Sequence, residues 1–88
     1  MIKLRDLRPG MFFRINDESD PTNFVVHQVL EVNLQYKIVT TQFVECTKNP
    51  KVVKDKKTYT WNLNGRNQNC CRAFATAVKI HRDLVGEK

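Results

Sequence analysis

The stretch from Phe24 to Leu34, FVVHQVLEVNL, constrains the fold more than any other part of the sequence, because its side chains alternate in polarity. Five of its six even-numbered positions are apolar, while the odd-numbered positions include His27, Glu31 and Asn33. Successive side chains of a β-strand point to opposite faces, so this pattern predicts a strand whose even face turns inward. His27 is then expected on the outward face, as a half-exposed surface histidine.

Further strand signals flank this stretch. Before it, a Pro9-Gly10 turn leads into a short apolar segment that reaches Ile15; proline and glycine have the backbone preferences of a type II turn. After a turn near residues 33–35, the segment Tyr36–Cys46 is rich in β-branched and aromatic residues, which favour strands. The chain therefore predicts a short first strand and a long hairpin.

The middle of the chain predicts a second, shorter pair of strands. Asn49-Pro50 is expected to end the preceding strand, because proline cannot donate to a sheet. Val52-Val53 and Thr58–Leu63 are the next strand signals, and the charged residues Lys54–Lys57 are predicted to form the turn between them.

The segment Arg72–Arg82, RAFATAVKIHR, fits two secondary structures. As a strand, it places residues 74, 76, 78 and 80 on one face. As a helix over about residues 70–85, it has Asn69 as a candidate N-cap and Gly86 as a candidate C-terminal glycine. We favour the strand, because four preceding strands need a partner to close a sheet.

Length and composition predict one small domain over residues 1–88. A chain of 88 residues has room for one hydrophobic core. No apolar run approaches the ~18 residues of a membrane span, and the start MIKLRDLRPG is too charged for a signal peptide. With three cysteines, a disulfide framework is not expected, and the sequence predicts a cytoplasmic protein.

The order of these elements resembles a known group of small folds. The segment LRDLRPGMFFRI, a long hairpin, a short strand pair and a closing VKIHR resemble the five-stranded SH3-like barrels, including the KOW-like modules of ribosomal, transcription and phage-encoded proteins. The resemblance implies an all-β, partly open barrel of five strands. Barrels of this group bind RNA, DNA or proteins, so the fold alone does not choose among these partners.

Charge is distributed unevenly along the chain. Residues 46–82 hold nine of the fifteen lysines and arginines and a single acid, Asp55. Residues 1–45 hold five cations and six anions. A concentrated basic excess predicts a positive face that attracts anionic partners.

Catalytic and metal-binding patterns find little support in the sequence. No Ser-His-Asp set, Cys-His set or glycine-rich phosphate loop stands at a diagnostic spacing, so we expect a protein that is not an enzyme. Cys46, one residue of Cys70-Cys71 and His81 lack the spacing of a zinc site. We therefore expect no metal or other cofactor, and cysteines that behave as small apolar residues.

The leading hypothesis is a non-catalytic module that binds the backbone of DNA or RNA through the basic face. Tyr59 is the candidate for stacking on a base, whereas Trp61 is expected in the core. An alternative for the lysines is protection of a sheet edge against aggregation. The predicted contact residues are Lys51, Lys54, Lys56, Lys57, Tyr59, Arg66, Arg72, Lys79 and Arg82.

Two other functions remain open at this point. The first is a small protein-binding module, such as a phage-type inhibitor or adaptor that docks on an acidic host enzyme. The second is a structural subunit that assembles through an open sheet edge. Neither alternative involves a membrane, and the sequence does not fix the oligomeric state.

Overall fold

The computed structural model describes residues 3–17 and 19–80. It begins with one turn of 3₁₀ helix at Leu4–Asp6. No helix in this part of the chain is long and apolar enough to cross a membrane. The strands are β1 (Phe12–Asp17), β2 (Asp20–Asn33), β3 (Ile38–Cys46), β4 (Thr58–Asn62) and the three-residue β5 (Val78–Ile80), and the helices are α1 (Pro50–Lys54) and α2 (Gln68–Phe74).

The strands form one antiparallel sheet in the order β4-β3-β2-β1-β5. β1 to β4 make up most of the sheet, and β5 adds a short pairing to β1, in which Val78 lies opposite Arg14 and Ile80 opposite Phe12. β4 and β5 are the two edges, so the sheet is open within the described residues. The prediction of a mainly β protein is confirmed.

The β2–β3 hairpin does not keep a single alternation of side chains. Its pairing is irregular between Val26 and His27, and again between Val29 and Glu31. At the second place Val29 pairs with Thr41 and Glu31 with Thr40, so Leu30 is an extra residue in β2, a β-bulge. Odd-numbered side chains of β2 face the core before this bulge, and even-numbered ones face it after the bulge. Leu30 is 42% exposed, although the sequence predicts it on the inward face.

His27 lies on the buried face of β2, and its predicted surface position is wrong. It pairs with Phe13 on one side and Phe43 on the other, and it is only 3% exposed. On the opposite face Val26 is also buried, outside the main core cluster. Because both faces of β2 are covered here, the polarity pattern did not identify the face that points to the main core. A shift of one residue in this assignment moves every side chain of the strand to the opposite face.

The segment after β4 contains a helix and a strand in succession. The predicted strand is wrong for residues 72–74, which belong to α2, and the alternative helix over about residues 70–85 is wrong for residues 78–80, which form β5. The N-cap is Asn67 rather than Asn69, because the Cys70 backbone N–H donates a 3.0 Å hydrogen bond to Asn67 Oδ1. The predicted C-terminal glycine, Gly86, lies outside the described residues.

The predicted strand at Val52-Val53 is also wrong, because these residues belong to α1. Pro50 occupies the first turn of this helix, where its fixed φ is suitable and its missing N–H is not needed. Val52 and Val53 are half-buried, and α1 packs on β3. The helix ends in a turn in which Lys56 has a φ of 53°, and the chain then enters β4.

The main core lies on one face of the sheet, beneath α2. Phe13 is fully buried at its centre, with its ring centroid 5.3 Å from Phe74, 6.0 Å from Trp61 and 5.2 Å from His27. The predicted core position of Trp61 is confirmed by its exposure of 4%. Burying a side chain of the size of phenylalanine contributes about 1.5–3 kcal/mol, so this cluster supports both the sheet and α2.

Candidate nucleic-acid interface

Residues 47–57, which join β3 to β4, form a basic surface that we call the lysine connection. Its five lysines, at positions 48, 51, 54, 56 and 57, are all exposed. Lys51 and Lys54 are three residues apart on α1, so they lie on the same side of the helix. The structure therefore brings together the four lysines of this region that the sequence predicts as contact residues.

In the part of the chain that the structure describes, one lysine of this surface is paired with an acid. Among the described residues, Lys48 Nζ forms a salt bridge of 3.2 Å with Asp17 Oδ2, and the other four lysines form none. The hydroxyl and backbone N–H of Ser19, with a smaller contribution from Lys48, lower the pKa of Asp17 to about 2. Asp17 thus stays ionised beside Lys48, while the remaining positive charges are free to meet an outside anion.

Those of the other predicted cationic contacts that the structure describes lie outside residues 47–57. Arg66 follows the far end of β4, and Arg72 lies on α2, where it lines a separate depression with Asp17 and Ser19. Lys79 belongs to β5, at the opposite edge of the sheet from β4. Arg82 lies outside the described residues. The lysine connection is thus the part of the predicted positive face in which the contact residues are closest in sequence.

Tyr59, the predicted stacking residue, is partly exposed. Its side chain is 40% exposed on β4, close to the lysine connection, and its ring centroid is 4.7 Å from that of Trp61. The Tyr59 hydroxyl lies 3.5 Å from Cys70 Sγ, and this hydrogen bond raises the pKa of Tyr59. The ring is therefore oriented by α2 and still partly accessible.

An apolar depression beside Tyr59, which we call the aromatic cleft, was not predicted from the sequence. It has a volume of about 190 Å³. The strands contribute most of its wall, and α2 contributes one alanine. Its lining residues are Ile15, Val25, His27, Phe43, Tyr59, Trp61 and Ala73.

His27 is the polar group of this cleft. Thr41 Oγ1 lies 2.9 Å from His27 Nδ1, and it also accepts a 3.0 Å hydrogen bond from Trp61 Nε1–H. Burial lowers the pKa of His27 to about 4, so its ring is neutral at pH 7. The cleft therefore offers rings and one neutral imidazole, and no fixed charge.

The cysteines are thiols with different surroundings. Cys70 is buried in the core, as expected of a small apolar residue, whereas Cys46 and Cys71 are half-buried. The described residues contain no cluster of three or more potential metal ligands. His81, one of the three residues considered for zinc, lies outside them.

Known proteins offer no guide to this arrangement. No family model, curated protein or solved structure matches the chain. Function must therefore be argued from the lysine connection and the aromatic cleft themselves.

Proposed function

We propose that this protein is a non-catalytic module that binds nucleic acid, and that the lysine connection contacts the phosphate groups. One observation carries the proposal. Lys51, Lys54, Lys56 and Lys57 are exposed within seven residues of chain and form no salt bridge in the described structure. Each lysine that neutralises a phosphate releases condensed counterions, which is the main source of sequence-independent affinity.

The position of these lysines argues against protection of the sheet edge. Lysines that block edge-to-edge pairing stand on the edge strand itself. β4 is an edge strand with the sequence TYTWN, which contains no charged residue. The lysines instead occupy α1 and the turn before β4.

We further propose that the open sheet is that of a partly open SH3-like barrel of five strands, with β5 as its last strand. A phage origin and a cytoplasmic location are part of the same proposal. The strand order and the short β5 are consistent with this interpretation. Because barrels of this kind bind several classes of partner, the fold supports the proposal less strongly than the lysines do.

Binding of a labelled oligonucleotide to a charge-reversed variant tests this function. Changing Lys54, Lys56 and Lys57 to glutamate should abolish most binding, and it should do so for every sequence alike because phosphate contacts carry no sequence information. The matched control changes Lys3, Arg5 and Lys37 to glutamate, three exposed residues outside the lysine connection, with the same change in net charge. The proposal is wrong if the two variants bind equally well, or if the wild-type protein binds no DNA or RNA at low salt.

A protein-binding module is the second candidate, and a different surface favours it. Leu34 and Tyr36, in the turn between β2 and β3, are 56% and 59% exposed, and Leu30, four residues before Leu34 on β2, is 42% exposed. Exposed apolar groups that cluster in this way often mark a protein contact. If an acidic host enzyme contacts both the lysines and this turn, the L34S/Y36S variant should bind that enzyme more weakly than the wild-type protein does. Nucleic-acid binding would be unchanged in that variant.

A further inference from the structure

The aromatic cleft has the size of a site for one ring system. Pockets for drug-sized ligands measure roughly 300–1,000 Å³, whereas this cleft measures about 190 Å³. Phe43 and Tyr59 lie on its wall with ring centroids 6.4 Å apart, in an edge-to-face arrangement. A flat aromatic group is the ligand shape that such walls accept best, since rings pack favourably on other rings.

The hydrogen bonds of Thr41 favour one tautomer of the neutral His27 ring over the other. The indole N–H of Trp61 can only donate, so it uses one lone pair of the Thr41 hydroxyl. The Thr41 hydroxyl then donates to His27 Nδ1 at 2.9 Å, in preference to the Tyr59 carbonyl at 3.5 Å. On the shorter distance we assign Nδ1 as the acceptor and Nε2 as the nitrogen that carries the hydrogen.

The Nε2–H group of His27 is a donor without a protein partner. No described residue forms a hydrogen bond with Nε2. Every fully buried side-chain nitrogen or oxygen of the described residues has a partner, so Nε2 is not fully buried. Nε2 is therefore not sealed in the core but reaches the cleft that His27 lines. His27, which is only 3% exposed, thus lines the apolar depression with one donor that the protein does not use.

The cleft and the lysine connection adjoin each other. The backbone N–H of Phe43 donates a 3.0 Å hydrogen bond to the Lys57 carbonyl, and Tyr59 follows Lys57 by two residues. A ligand with a phosphate on the lysines could therefore place an attached ring in the cleft. Single-stranded nucleic acid has this combination, because its bases are free to leave the stack.

We propose that the aromatic cleft binds one unpaired base of a single-stranded nucleic acid. The base packs against Tyr59 and Phe43, and one acceptor on its edge receives the hydrogen of His27 Nε2. This inference rests on the proposed function, because it takes the lysine connection as the neighbouring phosphate site. One donor does not select a base, since each of the four bases presents an acceptor.

Comparison of a base-containing strand with an abasic strand tests the base and the phosphates separately. The two probes are a labelled thymidine octamer and an octamer of the same length in which all bases are removed. Stacking in the cleft should make the first bind roughly 5- to 150-fold more tightly. Equal affinity would overturn the base site and leave phosphate binding intact, whereas no binding of either probe at low salt would overturn both proposals.

Filling the cleft gives the matched variants. Ala73→Met adds a side chain to the cleft wall, whereas Ala75→Met adds the same side chain at an exposed position one residue beyond α2. The preference for the thymidine octamer should disappear in A73M and persist in A75M. Full preference in A73M would overturn the proposal.

A second pair of variants covers the case in which A73M does not fold. Tyr59→Leu should remove most of the preference for bases, and Tyr36→Leu, which changes another exposed tyrosine, should not. Equal preference in both variants would contradict the site. NMR shifts of the cleft amides that respond to N-acetyl-tryptophanamide but not to thymidine monophosphate would also overturn it, in favour of an aromatic side chain from a protein partner.

Discussion

The lysine connection and the aromatic cleft are neighbours that are built in opposite ways. The first consists of eleven consecutive residues, 47–57, whose charges lie in solvent. The second collects seven residues from β1, β2, β3, β4 and α2, and several of them also belong to the core. A local surface of this kind can change in sequence without changing the fold, whereas the cleft exists only when the whole sheet and α2 are assembled.

This contrast predicts that affinity for nucleic acid and stability of the fold depend on different residues. Lysines that extend into water contribute little to folding, because their charges are well hydrated in both states. The rings around His27 and Trp61 contribute to folding and to the cleft at once. Mutations should therefore divide into two groups, one that changes binding alone and one that changes binding through stability.

The largest effect is expected at Phe13, which lies beneath the cleft. Phe13→Ala removes a fully buried ring that contacts the rings of His27, Trp61 and Phe74. The free energy of unfolding should fall by about 3–5 kcal/mol, as measured by urea denaturation. Leu34→Ala is the control and should change it by less than about 0.5 kcal/mol, because Leu34 is exposed. Similar losses in both variants would contradict the described core.

The next effect is a loss of stability in acid caused by His27. Burial lowers its pKa from 6.5 to about 4, so below pH 6.5 the unfolded chain takes up a proton that the folded protein excludes. The protein should have its full stability above pH 6.5 and lose roughly 3 kcal/mol on acidification to pH 4. Thermal or urea denaturation across this range measures the loss. His27→Phe should remove this part of the pH dependence, and an unchanged profile in that variant would contradict a buried neutral histidine.

A smaller effect is expected at the start of α2, which covers the core beside the cleft. Asn67→Ala removes the side-chain oxygen that accepts the Cys70 backbone N–H. The cost should be about 1 kcal/mol in the free energy of unfolding. Asn49→Ala, at the N-cap position of α1 where the side chain makes no cap hydrogen bond, is the control. If the two variants have the same stability, Asn67 is not the cap.

The smallest effect on stability per substituted residue is expected in the lysine connection. Changing Lys54, Lys56 and Lys57 to glutamate should alter the free energy of unfolding by no more than about 0.5 kcal/mol per residue, since all three side chains are exposed. Circular dichroism and urea denaturation measure this directly. Unfolding of the variant would show that these lysines support the fold and would remove the distinction between the two regions.

The sequence predicted the lysine connection because charge is a local property. The lysine cluster can be recognised from neighbouring residues of the sequence. The sequence also indicated Tyr59 as the candidate stacking residue and Trp61 as a core residue. The positions of Arg66, Arg72 and Lys79 relative to the lysine connection could not be predicted, because these positions depend on which strands pair in the sheet. The helix α1 had a signal in Pro50 at its first turn, but two adjacent valines also resemble a strand.

The aromatic cleft could not be predicted for a more basic reason. Its geometry depends on the phase of β2, and that phase changes at Leu30, where an extra residue enters the pairing. Alternation of polar and apolar residues does not reveal such a bulge when both faces of a strand are covered. His27 and Phe43 became neighbours only through this register.

The dependence of binding on salt tests the central claim most directly. If Lys51, Lys54, Lys56 and Lys57 each neutralise one phosphate, the logarithm of the association constant for duplex DNA should fall with the logarithm of salt concentration with a slope of about −4. In the variant with Lys54, Lys56 and Lys57 changed to glutamate, the slope should be near −1 or binding should be lost. A wild-type slope near zero, or the same steep slope in the variant, would contradict the assignment of the lysine connection as the phosphate-binding surface.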